Sequence, residues 1–91
     1  MSNSMARKED LTLGNTVSMM LSDDYKERFK AEYLQTFIRY RKLSDILCES
    51  RKGELAFDLN CDIDLLEIQF EAMSTYLTIL QTRAKIEEIN I

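Results

Sequence analysis

Between Ile63 and Ala84 apolar side chains return in steps of three and four, at Ile63, Leu66, Phe70, Met73, Leu77, Leu80 and Ala84. No other feature of the chain constrains its fold as strongly. Such steps keep a stripe on one side of an α-helix, so the segment predicts a helix that packs through a heptad seam. A second run, Leu65, Ala72, Tyr76, Ile79 and Ile86, lies beside the first at related spacing. The apolar arc is then wider than one neighbouring helix covers, and a further partner is expected to cover the remainder.

A chain of 91 residues makes one small domain with a marginal core. Domains of this size compensate with disulfides, a metal or self-association. Two cysteines and no histidine make a disulfide scaffold or a Cys/His zinc site poor readings, which leaves self-association. The absence of proline, with only Gly14 and Gly53 as glycines, favours helix throughout. Apolar runs fall well short of the roughly 18 residues that span a bilayer, and no hydrophobic stretch follows the basic residues of MSNSMARKED. No membrane partner is expected. A cytoplasmic protein of a bacterial host is expected instead, with Cys48 and Cys61 reduced.

The expected fold is all-α, an antiparallel two-helix hairpin with a short N-terminal helix, assembling into a helical-bundle oligomer. Residues 1–14 are polar and read as a flexible segment, and residues 15–91 as the hairpin domain. A first short helix is expected over residues 15–21, with Asn15 or Thr16 as cap and Val17, Met20 and Leu21 covering core on one side. Ser22 followed by Asp23 and Asp24 reads as the N-cap and acidic first turn of a helix over residues 23–52. Its seam is Phe29, Tyr33, Thr36, Tyr40, Leu43 and Leu47, and Gly53 is placed as the left-handed residue that ends it. Asn60, Cys61 or Asp62 can cap the last helix, over residues 62–89. The short link requires the two long helices to run in opposite directions. The row Leu65, Ala72, Tyr76, Ile79, Arg83 and Ile86 then faces outward and is the candidate oligomer interface, a second copy being the expected partner.

The order of residues, as distinct from their period, resembles a known family. SDDYKERFKAEY at residues 22–33, the joint Gly53-Glu54-Leu55-Ala56-Phe57, and CDIDLL at residues 61–66 carry the likeness. It continues through Gln69, Ala72-Met73, Tyr76-Leu77, Leu80 and Arg83-Ala84-Lys85-Ile86-Glu87. These look like small bacteriophage and prophage proteins of a family named after a gene product of a crAss-like phage, over residues 20–91. Relatives tend to carry proline where this chain has Asp62, which bears on the cap but not on the helix. The resemblance implies a phage or prophage origin. It implies no reaction and transfers no catalytic residue.

Without histidine the chain lacks the usual general base near neutral pH, and neither glycine sits in a phosphate-binding loop. An enzyme is not expected, nor a cofactor. Asp58, Asp62 and Asp64, and Glu67 with Glu71, lack calcium-loop spacing and read as solvated acids. Charge is unevenly divided: residues 23–52 carry eight Lys/Arg against six Asp/Glu, and residues 53–91 two against eight. The two halves therefore attract each other. Arg39, Arg41 and Lys42, interleaved with Tyr40, form a candidate anion or partner site, and Met19, Met20 and Leu21 a candidate partner surface. The row Gln69, Tyr76 and Arg83 reads as a polar layer that fixes helix register.

These features favour a non-enzymatic phage or prophage accessory protein that acts by protein–protein interaction and modulates or inhibits a host defence protein. The alternative is an oligomeric sponge that sequesters a nucleotide-type signal through Arg39, Arg41 or Lys42. A nucleic-acid-binding regulator is the second alternative, disfavoured by the net charge of −4.

Overall fold

A computed structural model of the protein describes residues 11–91. The described residues are helical with no strand: a 3-10 turn at Leu13–Thr16 runs into α1 (Val17–Met20), followed by α2 (Tyr25–Arg51) and α3 (Ile63–Glu87). None of these helices is long and apolar enough to cross a membrane. The expected flexible segment falls, for residues 1–10, outside the described residues.

The two long helices meet in opposite order. Tyr25 at the start of α2 bonds Glu87 at the end of α3, Tyr33 meets Gln81, Tyr40 stacks on Phe70, and Arg51 pairs with Glu67. Seam residues carry this packing. Phe29, Tyr33, Leu43 and Leu47 of α2 and Leu77, Leu80 and Ala84 of α3 are buried, and the rest of the α3 seam is half-buried.

A third apolar row of α2, Ala31, Leu34 and Ile38, is also buried. The N-terminal turn and α1 pack on α2. Here the structure departs from the sequence expectation, because Val17, Met20 and Leu21 are exposed while Thr16 is fully buried and Met19 packs against the core. Val17, Met20 and Leu21 do share one side of the segment, but it is the outer side, and Thr16 and Met19 are the inward pair.

Helix ends shift for identifiable reasons. The Ser22 hydroxyl accepts the N–H of Asp24 at 3.0 Å, and the Asp24 carboxylate accepts the N–H of Lys26 at 3.0 Å. Asp24, in extended conformation, is the N-cap in place of Ser22. Asp62 caps α3 by accepting the N–H of Asp64. Gly53 holds the left-handed conformation at φ 72°, and the N–H of Glu54 closes back on Glu49 O at 2.9 Å.

At the other end α3 stops at Glu87, two residues before the expected limit, because Glu88 turns left-handed at φ 58°. The N–H of Ile89 returns to Ala84 O at 2.8 Å, which folds the Ile89 side chain into the core. A glutamate occupies a position where glycine carries no Cβ penalty. Glu88→Gly is expected to raise stability by about 0.5–1 kcal/mol and the melting temperature by a few degrees, read by thermal denaturation. A lower melting temperature would mean that the side chain contributes more than its backbone strain costs.

Candidate ligand-binding grooves

Packing two helices of unequal side chains leaves a groove on each side of their contact. On one side α2 contributes Tyr33, Phe37 and Tyr40, and α3 contributes Ser74, Leu77, Thr78 and Gln81. The aromatic row and the polar row Ser74, Thr78 and Gln81 both follow the spacing i, i+4, i+7, so each is a straight line of side chains along its helix. Tyr33 and Phe37 stack with ring centres 6.1 Å apart and planes 12° from parallel. Tyr40 stacks on Phe70 of α3 at 4.6 Å and 10°. Across the groove the Gln81 amide donates to the Tyr33 hydroxyl at 3.0 Å, and within α3 the Thr78 hydroxyl donates to Ser74 O at 3.0 Å.

One wall is aromatic and the other carries hydroxyl and amide groups with lone pairs to spare. That combination suits a flat ring with a polar edge. Lys30 and Arg41, both half-buried, lie seven residues before and four residues after Phe37, on the same side of α2. The aromatic stretch therefore has a cation on either side of it along α2.

The second groove joins Leu13 of the N-terminal turn to Arg39, Lys42, Leu43 and Ile46 of α2 and Gln69 and Met73 of α3. Arg39 and Lys42, three apart, share this side. Arg41 stands 200° round the helix from Arg39 and does not line it. The candidate anion trio is thus divided, with Arg39 and Lys42 on the mixed apolar cleft and Arg41, one turn beyond Phe37, lining neither groove. Lys30 was not singled out from the sequence. Its signal was the seven-residue step to Phe37.

The remaining candidates fall in three places. Leu21 is 79% exposed, Met20 is exposed with its sulfur 3.4 Å from the Gln35 amide, and Met19 is turned to the core. Leu65, Ala72, Tyr76, Ile79 and Ile86 are all exposed on the outer side of α3. Arg83 is held within the chain: its Nε donates to Glu87 at 2.9 Å, its Nη2 donates to the Tyr25 hydroxyl at 2.7 Å, and its guanidinium lies 4.8 Å over the Phe29 ring. Of the row Gln69, Tyr76 and Arg83, only Arg83 makes a direct bond to α2 among the described residues. Gln69 lines the second groove. Cys48 and Cys61 are free and exposed, and no group of three or more acidic or cysteine side chains gathers among the described residues.

The Tyr25–Arg83–Glu87 triangle has consequences for pH. The hydrogen bond from Tyr25, with a second from Arg83, holds the Glu87 carboxyl below its ordinary 4.5. The same bond to Glu87 raises Tyr25 above its ordinary 10.0, and Arg83 is raised too, chiefly by its bond to Glu87. A lowered carboxyl contributes stability above its unfolded value and loses it as pH falls through the folded one; a raised phenol does so below its unfolded value and loses it as pH rises. The clasp is therefore intact across neutral pH. Melting temperatures followed from pH 7 to 3 are expected to fall less steeply for Glu87→Gln than for the parent, and equal slopes would remove Glu87 from the acid response.

Comparison with known proteins bears on the same elements. No curated protein and no solved structure matches the chain. A family model described as Sequestin matches residues 23–86, well over half of the chain, from the cap of α2 through the linker to the last turn of α3. Residues 19–21 lie outside that match and both helical walls of the aromatic groove lie inside it, and on this span the chain belongs to the Sequestin family.

Proposed function

We propose that the protein is a non-enzymatic sequestering protein that takes up a small nucleotide-type ligand in the groove of Tyr33, Phe37, Tyr40, Ser74, Thr78 and Gln81. The observation that carries this reading is the pairing of an aromatic wall with a hydroxyl and amide wall; in this reading Lys30 and Arg41, on the flanking turns of α2, supply the cations. Bases stack on aromatic faces and guanidinium groups bind phosphate oxygens bidentately. The family name supports capture as the activity, and its match covers the groove. In this reading the protein is a phage or prophage accessory factor in the cytoplasm of its bacterial host, withdrawing a signal from host defence.

Isothermal titration of the full chain against a panel of cyclic and linear nucleotides tests the proposal. At least one is expected to bind and to be recovered chemically unchanged. Phe37→Ala is expected to weaken binding about tenfold or more, since stacking contributes roughly 1–3 kcal/mol per base, and Arg41→Ala about tenfold or more, since a hydrogen bond to a charged group contributes roughly 1.5–3 kcal/mol. The pair Arg39→Ala with Lys42→Ala should leave it intact. Absence of binding across the panel, or recovery of an altered nucleotide, would overturn the reading.

A second reading, capture of a host protein, is favoured by the exposure of Val17, Met20 and Leu21 together on the N-terminal segment. Apolar side chains in such a cluster suit a partner surface. Val17→Ser with Leu21→Ser would then abolish partner capture without touching nucleotide binding.

A further inference from the structure

The outer side of α3 carries a second complete seam. Leu65, Ile68, Ile79 and Ile86 are each more than half exposed, and with Ala72 between Ile68 and Ile79 they mark out steps of three, four and seven. Thr75 and Thr82, also exposed, complete the alternation of three and four over three heptads. Ile79 is two residues, or 200°, from Leu77, so this seam lies opposite the one that packs on α2. A surface helix with water beyond it does not ordinarily carry two opposed apolar stripes.

Charge along the edge of the outer seam identifies what covers it. Asp64, Glu71, Thr78 and Lys85 follow one another at seven-residue intervals, in the flanking position where paired helices exchange ion pairs. Lys85 stands 14 and 21 residues from Glu71 and Asp64, roughly 21 and 32 Å at 1.5 Å per residue, too far to meet either within its own helix. An identical helix laid antiparallel brings Lys85 of each copy against Asp64 of the other and Glu71 against Thr78. Parallel alignment leaves the acids of both copies at one end. Small residues Ala72 and Thr75 at the centre let the helices close around Ile68 and Ile79.

We propose that the outer face of α3 binds the same face of a second copy of this chain, with the two α3 helices antiparallel. The resulting dimer is a row of four helices in the order α2, α3, α3, α2, each α3 being packed on two opposite sides. The arrangement brings the second copy's Glu71 to Thr78, on the polar wall of the aromatic groove, so the dimer borders that groove.

Sedimentation equilibrium of the full chain at micromolar to tens of micromolar concentration is expected to show a dimer. Ile79→Glu should raise its dissociation constant about a hundredfold or more while the circular dichroism of the helices is unchanged, because the charge is buried only in the dimer. Lys85→Glu should weaken the dimer about fivefold, as two exposed ion pairs become repulsions. Adding Asp64→Lys to Lys85→Glu should restore it. A monomer at all concentrations would overturn the proposal, including the case in which a foreign protein covers this face. A dimer indifferent to Ile79→Glu would overturn the surface, and a charge exchange that fails to restore association would overturn the antiparallel orientation.

Discussion

Leu80→Asp is expected to leave the protein unfolded at 25 °C, whereas Ile79→Asp, one residue earlier, is expected to leave the helices of the single chain formed. Leu80 is 1% exposed, in the core cluster with Phe29, Tyr33, Leu34 and Leu77. An aspartate there loses the transfer energy of a buried leucine, opens a cavity and places a carboxylate among apolar side chains. The cavity costs about 2–5 kcal/mol and the buried, unpaired carboxylate about 3–5 kcal/mol more, roughly 5–10 kcal/mol together. A domain of this length has in total only about 5–14 kcal/mol, at 0.05–0.15 per residue. Ile79 is 51% exposed and its replacement meets water. Far-ultraviolet circular dichroism and urea denaturation separate the outcomes, and a folded Leu80→Asp chain would mean that the α2–α3 contact is not the main core.

Phe29→Ala is expected to cost about 3–5 kcal/mol, the range for emptying a buried aromatic site. The ring is 3% exposed and sits where several contacts converge. Tyr25 meets it edge-on at 6.2 Å, and the Arg83 guanidinium lies over its face at 4.8 Å. Removal therefore also loosens the clasp of Tyr25, Arg83 and Glu87, beside which the Lys26 ammonium donates to Glu88 O at 3.2 Å. For a chain of this size each kcal/mol shifts the melting temperature by about 4–8 °C, so the variant should melt 12 °C or more below the parent. Arg83→Met keeps apolar cover over the ring and should be milder. If both substitutions had the same small effect, the end of the helix pair would be held by other contacts, the packing of Ile89 foremost.

Much of the fold was legible in the residue pattern. The seams Phe29 to Leu47 and Ile63 to Ala84 are the sides along which α2 and α3 pack, the outward row is exposed, and Gly53 adopts the left-handed turn. Periodicity reports these because helix geometry converts spacing directly into direction. The N-terminal segment was misread as to its inward side, since a one-turn helix has too few residues for its spacing to show which side docks on α2. Glu88 was not foreseen as a helix terminator, because a left-handed glutamate is held by contacts its own sequence position does not encode, the Ile89 N–H bond to Ala84 O, the Lys26 bond to Glu88 O and the packing of Ile89.

For the candidate site the division is similar. Sequence alone determined an all-α chain, which residues lie on each side of each helix, and an aromatic α2 among basic residues, because those properties depend on the period of one helix. Which of Arg39, Arg41 and Lys42 share a groove, that the aromatic row of α2 faces Ser74, Thr78 and Gln81, and that Arg83 is engaged by Tyr25 and Glu87 were decided only by tertiary structure. The physical reason is that a groove takes its two walls from different helices. Their relative rotation and register follow from the summed packing of both seams, with the N-terminal segment laid on α2, and no single repeat encodes that sum.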